Sequence, residues 1–377
     1  MSAGPTPVRF GMIGGGSGAF IGAVHRTAMR LDGEAALVAG ALSSTPERAI
    51  ASANELGIPR GYGDWRAMLD AEAALPQTER IEAVSIVTPN DTHAEPAIAA
   101  LKAGFHVVLD KPMAADSDEC RAIAAAADHA GLSVTITYNY SGYPIVRHAR
   151  SMIDGGALGT VRRVDARYVQ GWLANDLEAS GQKQAAWRTD PERSGGAGAI
   201  GDIGTHAYQL AEFVSGQRPS ELCADVHTHA PGRRVDDDAS VLLRYDSGAS
   251  GTLTASQICI GEENGLSLRV YGSNASLSWH QESPNELRVF SNDGSRRTLT
   301  RGDTSLATGA QIATRLPPGH PEGFHEAFAN IYRGAADRVR GVDSEHASLA
   351  PDHRDGAAGV AFIEACLASN SNWVTLC

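Results

Sequence analysis

From Val8 to about Tyr140 the chain alternates short apolar runs with longer helix-forming segments, and this rhythm constrains the fold more than any other feature. The runs VRFGMIG (8–14), AALVAGAL (35–42), IEAVSIVTP (81–89), FHVVLD (105–110) and LSVTITY (132–138) are rich in Val and Ile. They lack strict polar alternation, as strands covered on both faces do. Between them, PERAIASANELG, HAEPAIAALKAG and SDECRAIAAAADHAG carry strong helix formers and end on Gly. Strand and helix in alternation predict an α/β fold with a doubly wound parallel sheet over residues 1–140.

Beyond Tyr140 the pattern changes. A helix-like segment, YPIVRHARSMIDGGALG, leads into VRRVDARYVQGW, and a second helical pattern follows at about 200–215. From 221 to about 300 short alternating runs are linked by DSG, GSN and NDG turns, as in an antiparallel sheet. The stretch 301–323 reads as loop, and helices are expected over 323–340 and 353–369. A length of 377 residues accommodates two domains, so residues 141–377 are expected to form a second α/β domain with a largely antiparallel, open sheet.

Composition narrows the function classes. Acidic residues outnumber basic ones by 44 to 32, a net charge of −12, which repels nucleic acid and anionic membranes on average. No run of 18 apolar residues occurs, so no membrane span is expected. The cysteines Cys120, Cys223, Cys259, Cys366 and Cys377 are odd in number and form no CxxC pair. They suit reduced thiols, and with an N-terminus that lacks a signal-peptide pattern they predict a cytoplasmic protein.

Four segments carry chemistry. In GMIGGGSGAFIGAVHR (11–26), placed between the first strand and a helix, Gly14, Gly16 and Ser17 form a turn that lets backbone N–H groups meet a pyrophosphate. The third small residue is either Ala19 in register or Gly22 after a three-residue insertion. At the end of the second strand, no carboxylate stands where it would hold the ribose of NAD. Ser43, Ser44 and Arg48 are there instead. They either take a 2′-phosphate, which favours NADP, or serve as a helix cap and a surface arginine. The strand ends IVTPNDTHAEP and VVLDKPM place Thr88, Asn90, His93, Asp110 and Lys111 where a nicotinamide would arrive. Lys111 is there either to donate to a substrate oxygen or as a solvated strand end. In SGGAGAIGDIGTHAYQL (194–210), Asp202 and His206 share one face if the segment is helical. His206 then acts as general base with Asp202 orienting it, or is a structural histidine. A metal pair would need further ligands such as His227 or His229, and no metal is expected.

Together GGGSG…GAVHR, TPNDTH, DKP, the WR at 187–188 and GGAGAIGDIGTH resemble the Gfo/Idh/MocA family of NAD(P)-dependent sugar and polyol oxidoreductases, over Val8 to beyond Val270. The resemblance implies a Rossmann domain followed by an α/β domain whose sheet carries the contacts of a homodimer or homotetramer. It implies Lys111, Asp202 and His206 as catalytic residues, with Lys111 at the reacting hydroxyl and the nicotinamide ribose, and Asn90 and His93 on the cofactor side. Asp110 departs from the family's usual Glu. Trp172, Trp187 and Arg188 are expected at the substrate, since sugar rings stack on indoles and hydroxyls accept from guanidinium; core packing is the other reading of the tryptophans. The implied reaction is oxidation of a secondary hydroxyl of a sugar, glycoside or inositol-type polyol, or its reverse. An NAD-recycling glycosidase is the alternative, and a silent nucleotide sensor a further one.

Overall fold

The computed structural model describes residues 6–179, 185, 188–191 and 196–376. The chain divides into two units, Met1–Gly142 with Phe324–Ala357, and Tyr143–Gly323 with Ala358–Cys377.

Among the described residues the first unit holds a six-stranded sheet in the order β3-β2-β1-β4-β5-β6, where β1 is Val8–Gly14, β2 Ala35–Ala41, β3 Arg60–Gly61, β4 Ala83–Val87, β5 His106–Leu109 and β6 Val134–Ile136. Every neighbouring pair is parallel. This is the doubly wound arrangement of a dinucleotide-binding domain, with its crevice at the carboxyl ends of β1 and β4, where the strand order reverses. The apolar runs are strands for the reason expected of them: β4 is buried at all five positions, so both of its faces are covered. The two-residue β3 carries no apolar run and is not legible in the sequence.

The first unit runs to Gly142 and takes up one later segment. The helix Phe324–Val339 groups with the first unit, where Phe328, Ala329, Tyr332, Ala335 and Ala336 join the core built on Phe10, Val24, Ala28 and Met29. The cause is the apolar stripe at helical spacing on Phe324–Val339, which packs beside the helix Phe20–Leu31.

The second unit holds a nine-stranded sheet, ordered β14-β13-β12-β11-β7-β10-β9-β8-β15. Its strands are β7 Val161–Val169, β8 Pro219–His227, β9 Asp238–Tyr245, β10 Ser250–Ser256, β11 Gly265–Gly272, β12 Ala275–His280, β13 Glu286–Ser291, β14 Arg296–Thr300 and β15 Trp373–Thr375. All described pairs are antiparallel except β7 with β10, so the sheet is mixed and largely antiparallel. In β9, Ala239, Val241, Leu243 and Tyr245 are buried while Ser240, Leu242 and Arg244 face outward, the period-two pattern of a sheet covered on one side. No helix among the described residues is long and apolar enough to cross a membrane.

Candidate active site

In the first unit, β1 ends at Gly14 and the chain turns through a glycine-rich loop into the helix Phe20–Leu31. Gly14 and Gly15 have φ of +79° and +69°, the left-handed region that suits glycine. A Cβ on Gly15 would stand 2.9 Å from the Gly22 Cα, and one on Gly22 would stand 2.2 Å from the Gly15 oxygen. That mutual approach settles the third small position: Gly22 packs the helix against the loop, and Ala19 is the helix N-cap. A Cβ on Gly14 would meet Thr88 Cγ2 at 2.8 Å, so the loop and the end of β4 lie side by side.

Two of the expected contacts are already committed within the protein. The Gly16 N–H donates to the Leu42 carbonyl at 3.1 Å, and the Ser17 N–H donates to Ser52 Oγ at 3.2 Å. Ser17 Oγ donates to Glu55 at 3.0 Å. What the loop offers an anion is the start of Phe20–Leu31, where Ala19 makes no side-chain cap and the first turn carries no acidic residue.

At the end of β2, Thr45 is the N-cap of the helix Pro46–Glu55 and makes no side-chain cap bond, while its N–H donates to Ser43 Oγ at 3.2 Å. Ser44 and Arg48 are exposed. No carboxylate occupies this strand end.

After β4, Asn90 opens a 3-10 turn, Asn90–Thr92. His93 follows, fully buried, with Nδ1 3.0 Å from the Pro112 carbonyl and Nε2 2.9 Å from the Thr88 carbonyl. Its ring ties the end of β4 to the segment carrying Lys111, so its place is behind the loop. Asp110 and Lys111 follow β5, and the Lys111–Pro112 bond is cis. Lys111 is half-buried. Burial pushes the Asp110 carboxyl up, but His25, the Lys111 ammonium and Thr137 outweigh it and hold the group well below the usual carboxylate range.

In the second unit, Asp202 and His206 lie on one continuous helical segment, but its opening is a π turn, Ile200–Gly204, that runs into the helix Thr205–Ser215. The Thr205 N–H reaches back five residues to the Ile200 carbonyl. Single π turns recur at functional sites because they re-aim one side chain against the rest of the helix. The start of the segment is held by Asp236, whose carboxylate accepts the Gly198 and Ile200 N–H groups at 2.6 and 2.8 Å. A Cβ on Gly198 would fall 1.9 Å from the Asp236 carbonyl oxygen, which accounts for glycine there.

Asp202 Oδ2 accepts from Arg188 Nε at 3.1 Å and from Gln257 Nε2 at 2.9 Å. Arg188 and Asp202 therefore belong to one cluster. Gln257, almost fully buried just after β10, is a member that the sequence reading missed. His206 is buried, with the Tyr168 ring centroid 6.2 Å away. Trp172 is half-buried, and Trp187 lies outside the described residues. His227 pairs with Asp225 at 2.9 Å and lies beside His229. Among the described residues no group of three or more His, Cys, Asp or Glu could hold a metal ion.

Residues 8–138 match an oxidoreductase family with an NAD-binding Rossmann fold, which defines the class of protein: an NAD-binding oxidoreductase. Residues 146–278 match the GFO/IDH/MocA C-terminal domain, and the chain belongs to the GFO/IDH/MocA family. It is similar to a crystallised oxidoreductase of Sinorhizobium meliloti, at 43% identity and TM-score 0.89 over 98% of this chain and 100% of that one. An inositol dehydrogenase homolog from Azotobacter vinelandii, crystallised with NAD+, is 35% identical with TM-score 0.92, over 98% of this chain and 97% of its own. Levoglucosan dehydrogenase of Pseudarthrobacter phenanthrenivorans is 29% identical over 97% of each chain.

Proposed function

We propose that this protein oxidises a secondary hydroxyl of a sugar or inositol-type polyol to the ketone, with NAD(P)+ as acceptor, and catalyses the reverse reduction. The observation that carries this reading is the Asp202–His206 segment: a buried histidine on one helical stretch with a carboxylate that Arg188 and Gln257 fix. Relatives with full-length similarity are named for oxidation of such substrates, levoglucosan dehydrogenase and inositol 2-dehydrogenase among them.

The glycine loop fits a dinucleotide, because its backbone leaves no room for a Cβ at Gly14, Gly15 or Gly22 and it opens onto an uncapped helix start. When bound there, the nicotinamide supplies the hydride acceptor. The protein's own residues do the rest. Lys111, as a cation, donates to the oxygen of the reacting carbinol and stabilises the charge that develops there. His206 takes the hydroxyl proton. Asp202 accepts from the substrate or orients the base, while Arg188 keeps it ionised. Incubating the protein with NAD+ or NADP+ and a panel of inositols, aldoses and anhydro sugars tests the reading. Reduced nucleotide is expected with at least one polyol or sugar, and none with any of them would defeat it.

The open end of β2 extends the proposal to the nucleotide. Ser43, Ser44 and Arg48 stand in place of a carboxylate at the strand end, and although Glu47 lies in the first turn of the same helix, Arg48 one turn into it offers a guanidinium to the 2′-phosphate of NADP(H). Arg48→Ala is expected to weaken NADP(H) by about tenfold and NAD(H) by less than about twofold, since a charge-assisted contact to phosphate is worth roughly 1.5–3 kcal/mol when formed and less at an exposed site. Titration of both nucleotides into both proteins decides it; equal losses would show that Arg48 does not read the phosphate.

A further inference from the structure

Behind Lys111, the first unit contains a buried polar cluster that no role above uses. Thr137 Oγ1 donates to Asp110 Oδ1 at 2.7 Å, and His25 Nε2 stands 3.7 Å from the same oxygen. Across the His25 ring, Nδ1 lies 2.7 Å from the Tyr332 hydroxyl, which lies 2.8 Å from Ser85 Oγ. His25, Ser85 and Thr137 are fully buried and Tyr332 nearly so. The members come from five places in the sequence: the helix Phe20–Leu31, β4, the ends of β5 and β6, and the helix Phe324–Val339.

The chemistry of the groups fixes the direction of each proton. A carboxylate only accepts, so Thr137 donates to it and the His25 proton sits on Nε2, since a lone pair there would face the anion. Nδ1 then accepts from the Tyr332 hydroxyl, and the Tyr332 oxygen accepts from Ser85. Burial drives the Tyr332 hydroxyl up in pKa, so it stays protonated, as this order requires. Every donor points toward Asp110, and donors aligned in this way reinforce one another. At 3.7 Å the His25 contact is longer than a hydrogen bond, and Nε2 has no other hydrogen-bond partner among the described residues. A buried donor left in that state is costly, and its field favours the carboxylate at this spot and no other.

We propose that the Ser85–Tyr332–His25 relay and Thr137 are a positioning device that pins the Asp110 carboxylate and, through it, the ammonium of Lys111. Asp110 and Lys111 are consecutive, and the two charges attract. A lysine side chain on a flexible four-carbon stem needs such a fixed counter-charge to present its N–H groups in one direction. Asp110, His25, Thr137 and Tyr332 are thus positioning residues, and this assignment rests on Lys111 acting at the reacting oxygen.

The chain has only three lysines, Lys102, Lys111 and Lys183, so protein labelled with 13C at lysine Cε gives three signals. The loss of one in Lys111→Arg assigns it. Thr137→Val and Tyr332→Phe keep the shapes of the side chains, and His25→Asn removes the ring. Each is expected to shift or sharpen the Lys111 signal while leaving the other two in place. Each is also expected to lower kcat by about five- to fiftyfold, with KM and nucleotide affinity within about threefold. His25→Gln, which can present an N–H toward Asp110, should restore most of the loss. The double variant Asp110→Asn with His25→Asn should be no slower than Asp110→Asn alone, because His25 acts through Asp110. An unchanged Lys111 signal in the folded Thr137→Val and Tyr332→Phe proteins, or losses that multiply in the double variant, would overturn the proposal. The lysine signals need no substrate, so they decide the cluster even if the wild-type protein oxidises no polyol, a result that would defeat only the functional reading.

Discussion

Replacing Lys111 with Ala is expected to lower kcat by about two to four orders of magnitude while nucleotide affinity stays within about threefold, the size of effect seen when a single donor to developing charge is lost. The change falls on kcat because the donor matters most once negative charge builds on the oxygen, and a ground-state hydroxyl gains little from it. Folding should survive, since Lys111 is half-buried and the packing after β5 is carried by Pro112, Met113 and the buried His93 ring. Steady-state kinetics with thermal unfolding of both proteins is the measurement. A folded variant within about tenfold of wild type would remove Lys111 from the chemistry.

The second large effect belongs to His206. His206→Asn keeps a polar side chain on the same helical face beside Tyr168 but removes the group proposed to take the hydroxyl proton. Oxidation is expected to fall by about two to four orders of magnitude near neutral pH. The wild-type oxidation rate should rise with pH and level off once the ring is neutral and able to take the proton. The variant has no such inflection, and its residual rate should keep rising with pH as hydroxide substitutes in part. Rates from about pH 6 to about pH 10 with both proteins check this; a variant that retains the wild-type inflection would assign the base to another residue.

How far the molecule was legible in its sequence follows from the range of the forces involved. The parallel sheet was legible because strands buried on both faces are predominantly apolar, and β1, β2, β4 and β5 are so written apart from Arg9, Ser85 and His106. The largely antiparallel second sheet was legible from period-two runs and DSG, GSN and NDG turns. The β7–β10 parallel pair was not, because strand partners separated by 87 positions leave no local trace. The same holds for Phe324–Val339: a helix was expected there, but not that it would bury against Phe20–Leu31. At the glycine loop, Ala19 and Gly22 fitted the spacing equally well, and they are distinguished only by the folded backbone, in which a Cβ on Gly22 would fall 2.2 Å from the Gly15 oxygen.

The site shows the same boundary. Asp202 and His206 were legible as a spaced pair, whereas the π turn beneath them was not, since its glycines are equally compatible with an ordinary helix start. Gln257 reaches Asp202 across 55 positions of sequence, and nothing near Gln257 marks it as polar machinery. His25 stands in a motif that resembles the family, but its place between Tyr332 and Asp110 is a property of the folded core.

The central claim is net oxidation, with hydride and proton leaving one carbinol and the nucleotide departing reduced. A family member that used its nucleotide only transiently would draw on the same Lys111 and His206 and differ in its balance sheet alone. The direct measurement is therefore to follow reduced nucleotide and sugar product together over many turnovers, with a polyol and with its glycoside. One reduced nucleotide per molecule of ketone is the result expected. Repeated cleavage of the glycoside with no matching accumulation of NADH or NADPH would contradict it.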